Sequence, residues 1–249
     1  MPVILLPPPV AIRPPLRVQP RIAIEPRIST FYARFYFFPN QLPAVSPDRD
    51  ANFESGNPAR RRRMAPVRGN TGSAVFSEEV VLPPGSLCLV QCISNPITVD
   101  ETVAGTAKVQ SRAEKVGVGT IFSRMTLKIV SADGLTVRGT LLAFADYSTG
   151  AEWASPVRNK TFADGDALTS VNALAGDRLM LELGFRAAVN TSPQDLYIQD
   201  DSGTDLPEDE TTTTADNPWL EIFAAVPVTS LLPPEASRLF WLPHFTRNE

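Results

Sequence analysis

The sequence predicts an all-β, antiparallel sandwich, and three observations carry that expectation. After residue 72 the chain is a succession of short apolar, β-branched runs. Turn-forming pairs divide them: Asn95-Pro96, Asp133-Gly134, Asp164-Gly165 and Gly176-Asp177. Twenty-four prolines in 249 residues leave few places where a helix can run, and no helical stretches alternate with the strands as a parallel α/β fold requires. The organisation read from composition is a Pro-rich arm over residues 1–28, a sandwich over 29–225 and an apolar tail over 226–249.

The arm carries eight prolines, at 2, 7, 8, 9, 14, 15, 20 and 26. That spacing predicts extended or polyproline II backbone, a strap that at about 3.1 Å per residue reaches roughly 80 to 90 Å. Its large apolar residues are Ile4, Leu5, Leu6, Ile12, Leu16, Val18, Ile22, Ile24 and Ile28. They are too numerous for a solvated linker, whose composition is polar, so they predict a partner surface. The opening MPVILLPPPVAI lacks a basic stretch before its apolar run and is broken by Pro7, Pro8 and Pro9, so it is not read as an export signal.

Next comes FYARFYFF, which alternates Phe31, Ala33, Phe35 and Phe37 on one face with Tyr32, Arg34, Tyr36 and Phe38 on the other, a strand buried on one or both faces. Residues 39–72 read as an irregular loop because of Pro39, Pro43, Pro47, Pro58 and Pro66, with the run Arg60, Arg61, Arg62, Arg63 at its centre. The run is compatible with solvation, with contact to an acidic neighbour, or with nucleic acid; the last is the weakest, since one short cluster without interleaved aromatics is a poor phosphate-binding signal.

The strands expected from there on are SAVFSEEVV, LCLVQCIS, ITVDETV, GTIFSRMTLKIVS, TVRGTLLAFA, AEWASPVRNKTF, ALTSVN, RLMLELGFRA, DLYIQD and NPWLEIFAA. Asp133-Gly134 is the strongest hairpin signal among the separators. Cys88 and Cys92 on one strand would have α-carbons about 13 Å apart, beyond disulfide reach, and are read as small core hydrophobes. Residues 195–221 hold nine acids and no base. This stretch reads as a solvated loop, a docking face for arginines of another copy, or a calcium site, although no spacing matches an EF-hand.

Charge is divided along the chain. Residues 1–72 contain eleven arginines and four acids, a net of +7, and the remainder carries −11. Such a division favours docking on an acidic surface, whether nucleic acid or a neighbouring copy. A single histidine, His244, and two cysteines remove the designs that rest on an imidazole base, a histidine-rich metal site or a thiolate pair. The composition predicts no enzyme, no catalytic residue, no cofactor and no metal. No stretch approaches the roughly 18 apolar residues of a membrane helix.

The block TLKIVSADGLTVRGTLLAFADYSTGAEWASPVRNKTFADGDALTSVNALAGDRLMLELGFRA, followed by DLPEDETTTTADNPWLEI, resembles a jelly-roll domain that recurs in structural proteins of tailed bacteriophages. The resemblance covers about residues 120–223 and brings no catalytic motif. It implies a jelly-roll sandwich and a virion structural protein, assembled in the host cytoplasm as a homo-oligomer with other virion proteins: a capsid cement or decoration protein, or a neck or tail component. The alternative is a fibre or adhesin module whose sandwich binds host-surface glycan. Tyr147, Trp153 and Trp219 are the side chains to test for that role, because aromatic faces stack on sugar rings; each also fits as a core aromatic.

Overall fold

The structure, a computed structural model, describes residues 31–54, 60–79, 85–117, 119–146, 152–189 and 192–224. The arm, the tail and Tyr147 lie outside the described residues. Those described form eleven strands and no helix: β1 Phe31–Phe38, β2 Arg61–Ala65, β3 Ser73–Glu78, β4 Gly85–Ser94, β5 Glu101–Glu114, β6 Ile121–Val130, β7 Val137–Ala145, β8 Arg158–Ala173, β9 Arg178–Ala187, β10 Gln194–Gln199 and β11 Trp219–Ala224.

Strand pairing is that of a jelly roll. One sheet runs β3-β10-β5-β8 and the other β4-β9-β6-β7, each antiparallel throughout. From β3 to β10 the chain changes sheet at every step except the β6–β7 hairpin, which is the double Greek key of this fold. The strands β11, β1 and β2 then link the two sheets along one side. β11 pairs with β5, β1 with β11, β2 with β1, and β2 lies parallel to β4.

Alternation decides which side chains fill the space between the sheets. Ala33, Phe35 and Phe37 of β1 point inward, as do Ile121, Met125, Leu127 and Ile129 of β6 and Leu179, Leu181, Leu183 and Phe185 of β9. Cys88 and Cys92 are buried as free thiols; burial raises both, Cys92 to about 12, against the opposing charge of Arg62.

Parts of both outer faces are covered by the chain's own loops. Over the second sheet, residues 45–54 run along β4, β9 and β6. Val45 packs on Ile93, Val130 and Met180, and Phe53 meets Phe144 edge-on at 4.7 Å. Between them Glu182, fully buried, accepts the Asp50 N–H and the Gln91 amide, while Lys128 pairs with Asp50 at 2.5 Å. This is the reason every residue of β4 is buried. Burial raises the Glu182 pKa against these hydrogen bonds, but the pair it makes with Asp50 is sealed beneath the loop, so no substrate can approach it.

Several elements differ from the sequence reading. The stretch 39–72 is not one irregular loop, because Arg61–Ala65 forms β2. ITVDETV contributes its last three residues only, and β5 continues through AGTAKVQSRAE, which the reading omitted. AEWASPVRNKTF and ALTSVN are parts of a single strand that starts at Arg158. Asp164-Gly165 is no turn between them: it falls where the β5–β8 ladder shifts register, with Gly165 at φ 77°. Asp133-Gly134 does lie in the β6–β7 hairpin, within a six-residue connection.

Candidate functional site

The arginine run is a fastening between elements of its own chain. Because strand residues alternate, Arg60 and Arg62 reach one way and Arg61 and Arg63 the other. Arg60 Nη1 donates to Ser77 O at 2.6 Å and lies 3.1 Å from Glu78 Oε1. Arg62 stacks on Phe76, 4.9 Å from the ring centroid. Both contacts cross to β3 in the opposite sheet. On the outer side Arg61 donates to Gln91 Oε1 and Pro47 O, each at 2.9 Å. Arg63 donates to Gln41 Oε1 and Asn95 Oδ1 and covers Phe38. Among the described residues only Arg60 of the four pairs with a carboxylate. Burial, with Arg60 close by, lowers the Arg62 pKa.

The acidic segment is strapped to the body by part of its carboxylates, while others such as Asp201 stay exposed. Asp205 lies 2.9 Å from Arg34 Nη1 and 2.7 Å from Arg68 Nη2, and Tyr36 Oη donates to it at 3.0 Å. Arg34 also reaches Glu221 at 2.6 Å. Burial works against the Arg34 charge, and these two carboxylates outweigh it, so its pKa is raised. Further along, Glu208 pairs with Lys108 and Glu210 with Lys160 at 2.9 Å. Asp209 accepts the amides of Thr211 and Thr212, and Asp200 those of Thr71 and Gly72. The cations that these carboxylates meet, Arg34, Arg68, Lys108 and Lys160, come from their own chain. No group of three or more His, Cys, Asp or Glu among the described residues could hold a metal ion.

Two of the three aromatics named for glycan stacking are interior. Trp153 is 1% exposed, donates Nε1–H to Ser123 Oγ at 3.0 Å and packs between Phe162 and Phe185. Trp219, also 1% exposed, donates to Leu206 O at 2.8 Å beneath the Arg34 guanidinium. Neither ring has a face that a sugar could reach.

One end of the sandwich exposes a set of large apolar side chains, a feature that the sequence reading missed. The connections 95–100, 131–136 and 174–177 join β4 to β5, β6 to β7 and β8 to β9 there. They lock together: Ile97 N–H donates to Asp177 O at 2.7 Å, Gly176 N–H to Ile97 O at 2.8 Å and Ala175 N–H to Asp100 Oδ1 at 2.7 Å. Arg178 donates to the carbonyls of Ser94 and Ala132, and Arg138 pairs with Asp177. On this rigid end Val99, Leu135, Val137 and Leu174 are exposed. The first strand, β1, starts and β11 ends on the side that faces this end, with Ala224 beside Gly105, four residues in from Glu101. Phe31 is the register partner of Ala224, and β11 runs toward the Glu101 start of β5, since Phe223 pairs with Thr106.

No protein-family model and no curated protein matches the chain. Solved structures to which the chain is similar include a CocE/NonD family hydrolase from Staphylococcus aureus, with a TM-score of 0.43, 7% identity, and 78% of this chain and 36% of that one covered. They also include infectious bursal disease virus, Gx strain, with a TM-score of 0.24, 12% identity, and coverage of 82% and 42%. A VP2 subviral particle of the same virus is similar at a TM-score of 0.19, 13% identity, and coverage of 61% and 37%. The chain spans less than half the length of each, and likenesses this low assign no function.

Proposed function

We propose that the chain is a structural subunit of a virus particle, a tailed-phage component such as a capsid cement, neck or tail protein, that binds neighbouring subunits through its arm and tail. The observation that supports this reading is the pairing of Phe31 with Ala224. It brings the attachment points of two Pro-interrupted, apolar segments side by side at the end where the sandwich exposes apolar residues. The chain's own loops cover parts of the outer faces, the arginine run is engaged by groups of its own chain, and several carboxylates of the acidic segment pair with its own cations. Association therefore rests on apolar burial. Nine large arm residues, each partly buried, offer a gross gain on the order of 10 kcal/mol, and the prolines reduce the ordering loss because the free arm is already restricted. Deleting residues 1–28 tests the reading: the sandwich should stay folded and fail to enter particles, and normal incorporation would overturn it.

A further inference from the structure

We infer that the end formed by the 95–100, 131–136 and 174–177 connections is the seat for the Pro-rich arm, residues 1–28, of a second copy of this chain. The inference rests on the lacing reading above and names the surface that receives the strap.

Shape and polarity come first. Leu135 is 81% exposed, Val137 50%, Val99 47% and Leu174 45%. Large apolar side chains grouped on a surface mark interaction sites, and here the backbone beneath them is held by the cross-connection hydrogen bonds already described, so the receiving surface needs no ordering on binding.

Charge then selects the occupant. Asp100 and Asp133 sit on the same end and form no ion pair among the described residues. Asp100 accepts the Ala175 N–H, and Asp133 accepts from the Ser131 hydroxyl and the Leu135 N–H. The arm carries Arg13, Arg17, Arg21 and Arg27 against Glu25, interleaved with Ile12, Leu16, Val18, Ile22, Ile24 and Ile28. The tail, with Arg238 and Arg247 against Glu235 and Glu249, has no net charge to offer. This end carries Asp100, Glu101, Asp133 and Asp177 against Arg138 and Arg178, so an apolar surface of net negative charge suits the basic arm better than the neutral tail.

Direction and length favour a second copy over the arm's own body. The first strand, β1, starts on the side facing this end, and the arm precedes it in the sequence. At about 3.1 Å per residue, 28 extended residues reach roughly 85 Å, far more than one end requires. The sequence biases Gln19 and Glu25, each followed by a proline, toward extended backbone, which disfavours the reversal that self-coverage needs.

The test uses the full chain with Leu135→p-benzoylphenylalanine, prepared unlabelled and 15N-labelled, mixed and irradiated. Cross-links should run from position 135 to peptides within residues 1–28, joining labelled to unlabelled chains as often as like to like. Cross-links only between like chains, to residues 226–249, or to no arm peptide would overturn the inference. Sedimentation of the same samples separates the two levels: self-association without arm cross-links removes the seat and leaves the lacing, whereas a chain that stays monomeric removes both. As a second variant, Leu135→Lys with Leu174→Lys should weaken self-association at least tenfold at an unchanged melting midpoint; unchanged self-association would also overturn the seat.

Discussion

The guanidinium of Arg62 lies 4.9 Å from the ring centroid of Phe76, and the two residues belong to opposite sides of the sandwich. A cation stacked on an aromatic ring contributes about 0.5 to 2 kcal/mol, more as it is desolvated, and the aliphatic stem of the arginine also covers Phe76. Arg62→Ala should therefore destabilise the fold by about 1 to 2 kcal/mol, with Arg62→Lys intermediate, measured by urea unfolding. An unchanged midpoint for Arg62→Ala would show that the seam between β2 and β3 is held elsewhere.

Asp205 joins β1, the 66–72 crossover and the acidic segment through Arg34, Arg68 and Tyr36. Asp205→Ala leaves two half-buried guanidiniums short of a partner and should cost about 1 to 3 kcal/mol. Asp201→Ala, one of the exposed acids in the same segment, should leave the thermal midpoint unchanged. Equal effects would return the segment to the solvated state that its composition suggests.

Stability should depend on pH with opposite signs at two carboxyls. Burial opposes ionisation of Asp146, but hydrogen bonds from Arg124 and Arg186, at 2.5 and 2.8 Å, outweigh it and lower its pKa. Its contribution is present above the ordinary Asp value and lost as pH falls through the lowered one. Asp146→Asn should thus weaken the protein at neutral pH and flatten its loss of stability in acid. Glu182 is raised by burial, so its folded form binds protons more readily, and wild type should gain stability relative to Glu182→Gln as pH falls toward the ordinary Glu value. Denaturant midpoints of both variants, followed from neutral pH into acid, check the two signs.

Gly105 has φ 121°, and a Cβ built there would lie 1.8 Å from the carbonyl oxygen of Phe223. Gly105→Ala combines backbone strain with a main-chain clash and should cost more than about 2 kcal/mol. Gly203 has open space around its Cα, so Gly203→Ala should be close to neutral. Thermal melting of the pair decides, and equal midpoints would mean that the β5–β11 contact, from which the tail departs, is looser than described.

Much of the fold was legible because alternation at period two is a local signal. The faces of FYARFYFF, the β6–β7 hairpin and the buried runs LCLVQCIS and RLMLELGFRA could be read directly. The strand AGTAKVQSRAE could not, since small and polar residues dominate it and its stability comes from four neighbours, β8, β10, β11 and the covering segment 206–213. Arg61–Ala65 was hidden because four successive arginines resemble a solvated loop, while the groups that hold them, Gln91, Phe76 and Asn95, are distant in sequence. The acidic segment misled for the same reason: Arg34, Lys108 and Lys160 lie far from it along the chain. Of the proposed binding surface, the apolar arm was visible from its composition. The end at which it joins the sandwich was not, because that depends on the register of Phe31 with Ala224.

The most direct measurement of assembly through the arm is sedimentation velocity over a concentration series, comparing the full chain with a form lacking residues 1–28. The full chain should form a defined oligomer whose population rises with concentration, and the truncated form should remain a folded monomer with the same β-sheet circular dichroism. A full chain that stays monomeric throughout, or a truncated form that associates equally well, would contradict the account.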